Sequence, residues 1–143
     1  MKKPPLFLSA VLLFSTTVFA SEYPNMVGIW KGHVRIVSSG ATVANLVAKG
    51  GAVISEVDLT VTISHQDGES FIGKSRSSAT PSDEPSTPVW GALRSIGDEA
   101  LFVTGKGGRG HLWLTETNQF EYCITNLDES VITAYCGILN RNQ

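Results

Sequence analysis

Apolar and polar residues alternate one by one along most of this chain. Val57, Leu59, Val61 and Ile63 are interleaved with Asp58, Thr60, Thr62 and Ser64. In an extended chain successive side chains point to opposite faces, so this run predicts a strand with one buried face. His65-Gln66-Asp67-Gly68 follows, and Asp-Gly readily takes the positive φ values of a tight hairpin. Residues 71–76 are then the returning strand. The same rhythm predicts strands over 30–37, 89–95, 101–104, 111–116, 119–125 and 131–141, separated mostly by short turns rich in Gly, Asp and Asn. Short turns make successive strands neighbours in space, which gives a meander. At about eight strands a meander can close on itself and remove its edges. The expected fold is therefore all-β, an antiparallel up-and-down β-barrel of about eight strands. A two-sheet sandwich is the alternative, and it requires longer crossovers than most of these turns supply.

Two connections break the rhythm. Residues 77–88 hold Pro81, Pro85 and Pro88 among Ser and Thr, and because proline donates nothing to a ladder, the segment reads as a mobile surface loop. Residues 38–56 contain Val43, Leu46, Val47, Val53 and Ile54, too apolar for a freely solvated loop. This stretch either extends the first two strands into a long hairpin around Lys49-Gly50-Gly51, which is preferred because Gly-Gly is a turn signal, or folds over one mouth as a lid.

Composition and the N-terminus set the compartment and the class. Lys2 and Lys3 precede a mostly apolar run from Leu6 to Phe14, and Val18-Phe19-Ala20 supplies a cleavage context. Residues 1–20 therefore read as a signal peptide, and residues 21–143 as a single domain, periplasmic or secreted. The apolar run is shorter than the roughly 20 residues needed to span a bilayer, so no membrane anchor is expected after cleavage. The remaining length suits one self-sufficient core. A formal net charge of -2 with dispersed Lys and Arg lacks the basic field of a nucleic-acid binder.

Gly28-Ile29-Trp30 opens the first strand and Arg141 ends the last. With these residues the chain resembles the calycin group of lipocalin, fatty-acid-binding and avidin-like barrels. The resemblance implies that Trp30 closes one end of the barrel and that Arg141 packs across it. The parity agrees: Gly28, Trp30, Val34 and Ile36 share one strand face, and Arg141 shares a face with Tyr135 and Leu139. Avidins line their site with several tryptophans and a late carboxylate. Here Trp90 and Trp113 are the only later tryptophans and Asn140 stands in the last strand, which disfavours biotin. The layout also resembles small secreted bacterial proteins that pair a G-x-W-x-G opening, here Gly28-Ile29-Trp30-Lys31-Gly32, with a Cys-containing final hairpin. That resemblance implies a fold and a compartment and no activity.

Cys123 and Cys136 lie on the last two predicted strands, about equally far from the turn near Glu129. A hairpin register can set them opposite each other, and an exported chain with an even cysteine count usually oxidises them, so a disulfide is expected. Two buried free thiols on one face are the alternative.

No grouping of residues in the sequence amounts to an active site. His33, His65 and His111 fall on separate elements without ligand spacing, so no metal is expected. There is no nucleophile elbow among the serines, and the carboxylates lie at strand ends or in turns, with Glu121 of undecided facing. Lys106-Gly107-Gly108-Arg109-Gly110 precedes a strand and reads as a hairpin turn, not a phosphate loop. The expectation is a protein that is not an enzyme and carries no cofactor, with a small, mostly apolar ligand bound inside or at the mouth of the barrel. Trp90, Phe102, Trp113, Phe120, Tyr122 and Tyr135 are the candidate ligand-binding residues, and Trp30 and Arg141 the barrel-closing pair. The alternative is an interaction module, an inhibitor or a homo-oligomer, favoured by apolar residues on both faces of the last strand: Ile132, Ala134 and Ile138 against Val131, Tyr135 and Leu139.

Overall fold

The computed structural model describes residues 23–40, 53–95, 98–127 and 131–142. The proposed signal peptide and the middle of the 38–56 segment, residues 41–52, lie outside them. Eight strands form in chain order: β1 (Gly28–Gly40), β2 (Val53–Asp67), β3 (Ser70–Ser77), β4 (Thr87–Leu93), β5 (Glu99–Thr104), β6 (Arg109–Glu116), β7 (Gln119–Leu127) and β8 (Val131–Arg141). Each pairs antiparallel with the next, and β8 returns to pair with β1, so the meander closes as a barrel. Alternation decides which side chains go inside. Val57, Leu59, Val61 and Ile63 of β2 are buried while Asp58 and Ser64 are exposed. A bulge between Ile63 and His65 then re-aims the strand, and Gly68, at φ +56°, takes the tight turn into β3.

The long first connection keeps its ends paired. Register runs from Gly28↔Ile63 up to Ser38↔Val53, so both ends of the 38–56 segment belong to the β1–β2 ribbon.

The proline-rich stretch differs from expectation in two respects. It is clasped rather than loose: Arg76 in β3 donates from Nη1 to the Glu84 carbonyl at 2.8 Å and from Nη2 to the Pro81 carbonyl at 2.6 Å. Lys106 adds an ion pair to Glu84 at 3.1 Å. Further, β4 begins at Thr87 and includes Pro88. In an antiparallel ladder a residue's N and O face the same neighbour. The Pro88 carbonyl accepts from Gly105 N at 2.9 Å, in the turn beyond β5, whose own pairing with β4 starts at Val89↔Thr104. The missing N–H thus faces a place where the ladder has already ended, the position at which a strand tolerates proline.

Glycine inside the barrel makes room for aromatic rings. A Cβ at Gly110 on β6 would overlap the Phe102 ring and the Cys123 carbonyl oxygen. Phe102 lies over that space and stacks on Tyr122 with ring centroids 4.7 Å apart.

Candidate functional site

The two ends of the barrel are built differently. At one end Trp30 is fully buried and meets Phe120 at 4.6 Å between centroids. Beneath it the segment entering β1 crosses the opening, with Met26 also fully buried. Trp30 Nε1 donates to the Met26 carbonyl at 2.9 Å. Met26 N donates to Gln66 Oε1 at 2.7 Å, and Gln66 Nε2 donates to the Pro24 carbonyl at 3.0 Å, so the end of β2 pins the crossing chain.

Arg141 closes the arrangement. Its guanidinium carbon lies 4.5 Å from the Trp30 ring centroid, and Nη2 donates to the Asn25 carbonyl. A cation over an indole contributes about 0.5–2 kcal/mol, more as water is excluded. Gly28 adopts φ +153°, a conformation L side chains rarely take, and the Arg141 side chain lies in ordinary van der Waals contact with the position a Cβ there would take, 3.6 Å from it at Nε. The glycine and the tryptophan of Gly28-Ile29-Trp30 therefore serve the same closure. Met26 and Gln66 carry no sequence signal for this role, because their partners lie on segments that only the closed fold brings together.

The inner wall changes character toward the other end. Ser75, Ser77, Thr87, Thr104, Thr133 and Tyr135 are all half-buried. Register places them opposite inward-facing partners, as in Val61↔Ser75, Val89↔Thr104 and Ile124↔Tyr135. Among the described residues, hydroxyl-bearing side chains that point inward yet keep contact with solvent define a polar mouth over an apolar interior. Tyr122 stands at the boundary. Its hydroxyl is sealed from solvent without a hydrogen bond of good geometry, and its polar neighbour is the Tyr135 phenol, with rings 5.9 Å apart. Burial first, then Tyr135, pushes the Tyr122 phenol well above its usual range, and burial also raises Tyr135. Both are neutral hydrogen-bonding groups at any physiological pH. Asn126 Oδ1, under the β5–β6 turn, is a second buried atom with no partner.

The six candidate ligand-binding residues divide. Phe102, Phe120 and Tyr122 are buried inside, and Tyr135 is half-buried at the mouth. Trp90 and Trp113, 46% and 36% exposed, stand on the outer wall, so they are not part of the interior set. The reason is parity: β4 turns Val89, Gly91 and Leu93 inward, and β6 turns Gly110, Leu112 and Leu114 inward, which leaves both tryptophans facing out. Glu121 is also on the outer wall.

Cys123 and Cys136 are direct cross-strand partners and form a disulfide, with Cα atoms 4.1 Å apart. Cys136 faces out, on the same side as exposed Ile132, Ala134 and Ile138.

The histidines serve the outer wall. His33 on β1 contacts Asp58 at 3.0 Å and Glu56 at 3.4 Å, and these carboxylates, Asp58 foremost, raise its pKa. His111 contacts Glu99 at 3.0 Å, and hydrogen bonds from Arg94 and then His111 lower the Glu99 pKa. Among the described residues no group of three or more potential ligands could hold a metal ion.

No protein-family model matches this chain, and no curated protein matches it. Solved structures do share its architecture. The barrel EF1p2_mFAP2b, bound to DFHBI, aligns with a TM-score of 0.50 at 11% identity, covering 82% of this chain and 94% of that one. The S-type phycobiliprotein lyase CPES from Guillardia theta aligns with a TM-score of 0.48 at 15% identity, covering 82% and 89%. A redesigned β-barrel, b11L5F_LGL, gives 0.47 at 13% identity, covering 82% and 92%. The likeness is one of fold: a small closed β-barrel.

Proposed function

We propose that this chain is an exported, non-enzymatic binding protein that takes a small, mostly apolar molecule at the mouth opposite Trp30. One observation carries the reading: a barrel sealed at one end whose inner wall passes from wholly apolar to hydroxyl-lined where solvent enters. Ser77 bonds to the Thr80 hydroxyl at 3.1 Å and Thr104 accepts from Gly108 N at 3.0 Å, and a barrel filled only by its own side chains has no use for the further inward-facing hydroxyls of the collar, which lose hydration on burial. A ligand would set its apolar body against Phe102, Tyr122 and Tyr135 and satisfy the collar with uncharged polar groups. A barrel of the same architecture is known bound to DFHBI, and sites of this kind pair apolar walls with a few placed polar groups. Export accords with the N-terminal sequence and with the disulfide. Among the described residues no helix is long and apolar enough to cross a membrane.

The test is a fluorescence titration with the neutral dye N-phenyl-1-naphthylamine. The expected result is saturable binding at one dye per chain that disappears in Thr133→Trp, which fills the mouth, while the circular dichroism spectrum is unchanged. Equal binding by wild type and Thr133→Trp would remove the mouth as the site.

A second reading, contact with another protein or another copy of this chain, rests on the outer wall. Ile72, Trp90 and Val103 form one cross-strand row across β3, β4 and β5, each more than 40% exposed, with Leu101 beside them. Light scattering on the purified protein checks it: a dimer that Trp90→Glu converts to a monomer supports this reading, and a wild-type monomer opposes self-association.

A further inference from the structure

The outer wall of β6, β7, β8 and β1 carries a groove that follows from side-chain length. Two adjacent cross-strand rows run His111↔Cys123↔Cys136↔Arg35 and Arg109↔Thr125↔Ala134↔Val37. In the first row the residues on the outer two strands, His111 and Arg35, are long, and in the second Arg109 is long while Thr125, Ala134 and Val37 are short. Arg109 and His111 on β6 and Arg35 on β1 therefore stand above a floor made of the disulfide, Thr125 and Ala134. The resulting depression has a volume of about 370 Å³. On the far side of the β6 ridge a second depression of about 290 Å³ is lined by Leu101 and Val103 and shares Arg109 and His111 with the first.

No carboxylate lines it, and two guanidinium groups, Arg35 and Arg109, do. Arg35 already has a carboxylate partner, Glu56, at 3.4 Å, and His111 has Glu99 at 3.0 Å. Arg109 differs: among the described residues no carboxylate lies within ion-pair distance of it. An unpaired guanidinium thus stands on a ridge with an apolar depression on either side. Its planar fork suits carboxylate or sulfonate oxygens.

Size argues for a small molecule. The ridges are three strand spacings apart, about 14 Å, and the two rows span far less than the roughly 800 Å² each partner contributes to a standard protein interface. The volume falls at the lower end of ligand sites, which run about 300–1,000 Å³.

We infer that this groove is a second binding site, distinct from the mouth, for a small amphipathic anion whose apolar body lies on the disulfide and Ala134 while its carboxylate or sulfonate meets Arg109. The mouth has a neutral hydroxyl collar and the groove an unpaired cation, so the two sites divide ligands by charge.

The experiment compares two dyes with one skeleton. 8-Anilinonaphthalene-1-sulfonate carries the anion and N-phenyl-1-naphthylamine lacks it. The sulfonate dye is expected to bind the groove, to lose about threefold in affinity in Arg109→Gln, to weaken with added salt, and to be excluded by Ala134→Phe, which raises the floor. Thr133→Trp is expected to leave its binding intact, and amide shifts in ¹H–¹⁵N spectra should cluster at residues 109–111, 123–125 and 134–136. Wild-type affinity in both Arg109→Gln and Ala134→Phe would overturn the inference, and so would loss of the sulfonate dye in Thr133→Trp, which would put it in the mouth. A wild-type dimer that Ala134→Phe dissociates would also overturn it, by making the groove a contact between copies.

Discussion

Replacing Arg141 with methionine keeps a long apolar stem and removes the guanidinium that closes the barrel. Two interactions go with it. The cation over Trp30, at 4.5 Å from the ring centroid, contributes about 0.5–2 kcal/mol. The charged donor to the Asn25 carbonyl contributes about 1.5–3 kcal/mol when shielded from water. That carbonyl lies near solvent and regains a partner when Arg141 is lost, and Arg141 Nε is buried without an acceptor, so both effects reduce the sum. The expected loss is about 2 kcal/mol, which at about 4 °C per kcal/mol for a domain of this size lowers Tm by about 8 °C. Urea unfolding followed by circular dichroism measures it. Arg141→Lys should recover less than half, because an ammonium neither stacks flat on the indole nor forks to the carbonyl. An Arg141→Met protein within about 0.5 kcal/mol of wild type, the range of an unremarkable surface change, would refute the closure argument.

Reducing the Cys123–Cys136 disulfide, whose cysteines are 13 residues apart, should cost about 3 kcal/mol, read as a drop in urea midpoint with the far-ultraviolet spectrum of the folded state retained. Gly110→Ala places a methyl group against the Phe102 ring and the Cys123 carbonyl oxygen. Overpacking of this kind costs about 1–3 kcal/mol, visible in the same urea assay. His33 should titrate above its ordinary value because of Asp58 and Glu56, and Asp58→Asn should lower that value in an NMR titration. Its contribution to stability is fully present below the unfolded-state value and is lost as pH rises through the folded one. Glu99, held down by Arg94 and His111, contributes in the opposite sense: its stabilisation is present above the unfolded-state value and disappears as pH falls through the folded one.

The strands were legible because a half-buried strand writes its burial into the sequence with period two. Val57 to Ile63 is the clear case, and the Asp67-Gly68 turn confirms its end. Pairing of Cys123 with Cys136 followed from counting outward from one hairpin turn, and register bears it out. Trp90 and Trp113 were misplaced for a definite reason: residue type suggests the interior, whereas strand parity, read from Val89 and Leu112, already turns them outward. The order in the proline-rich stretch was invisible because it depends on Arg76 reaching the carbonyls of Pro81 and Glu84, and a carbonyl's partner leaves no trace in composition. The plug formed by Met26 and Gln66 is a contact across 40 residues, beyond what local pattern can carry. The groove over the disulfide needed the closed register, since its two ridges come from β6 and β1.

The polar mouth opposite Trp30 is proposed to receive a small ligand. Intermolecular NOEs between bound N-phenyl-1-naphthylamine and the protein test it most directly. The expected contacts are to Tyr135, Thr133 and Thr104 at the mouth and to Phe102 below them. Contacts confined to Trp90, Leu101 and Val103 on the outer wall, or the absence of any bound dye, would contradict it.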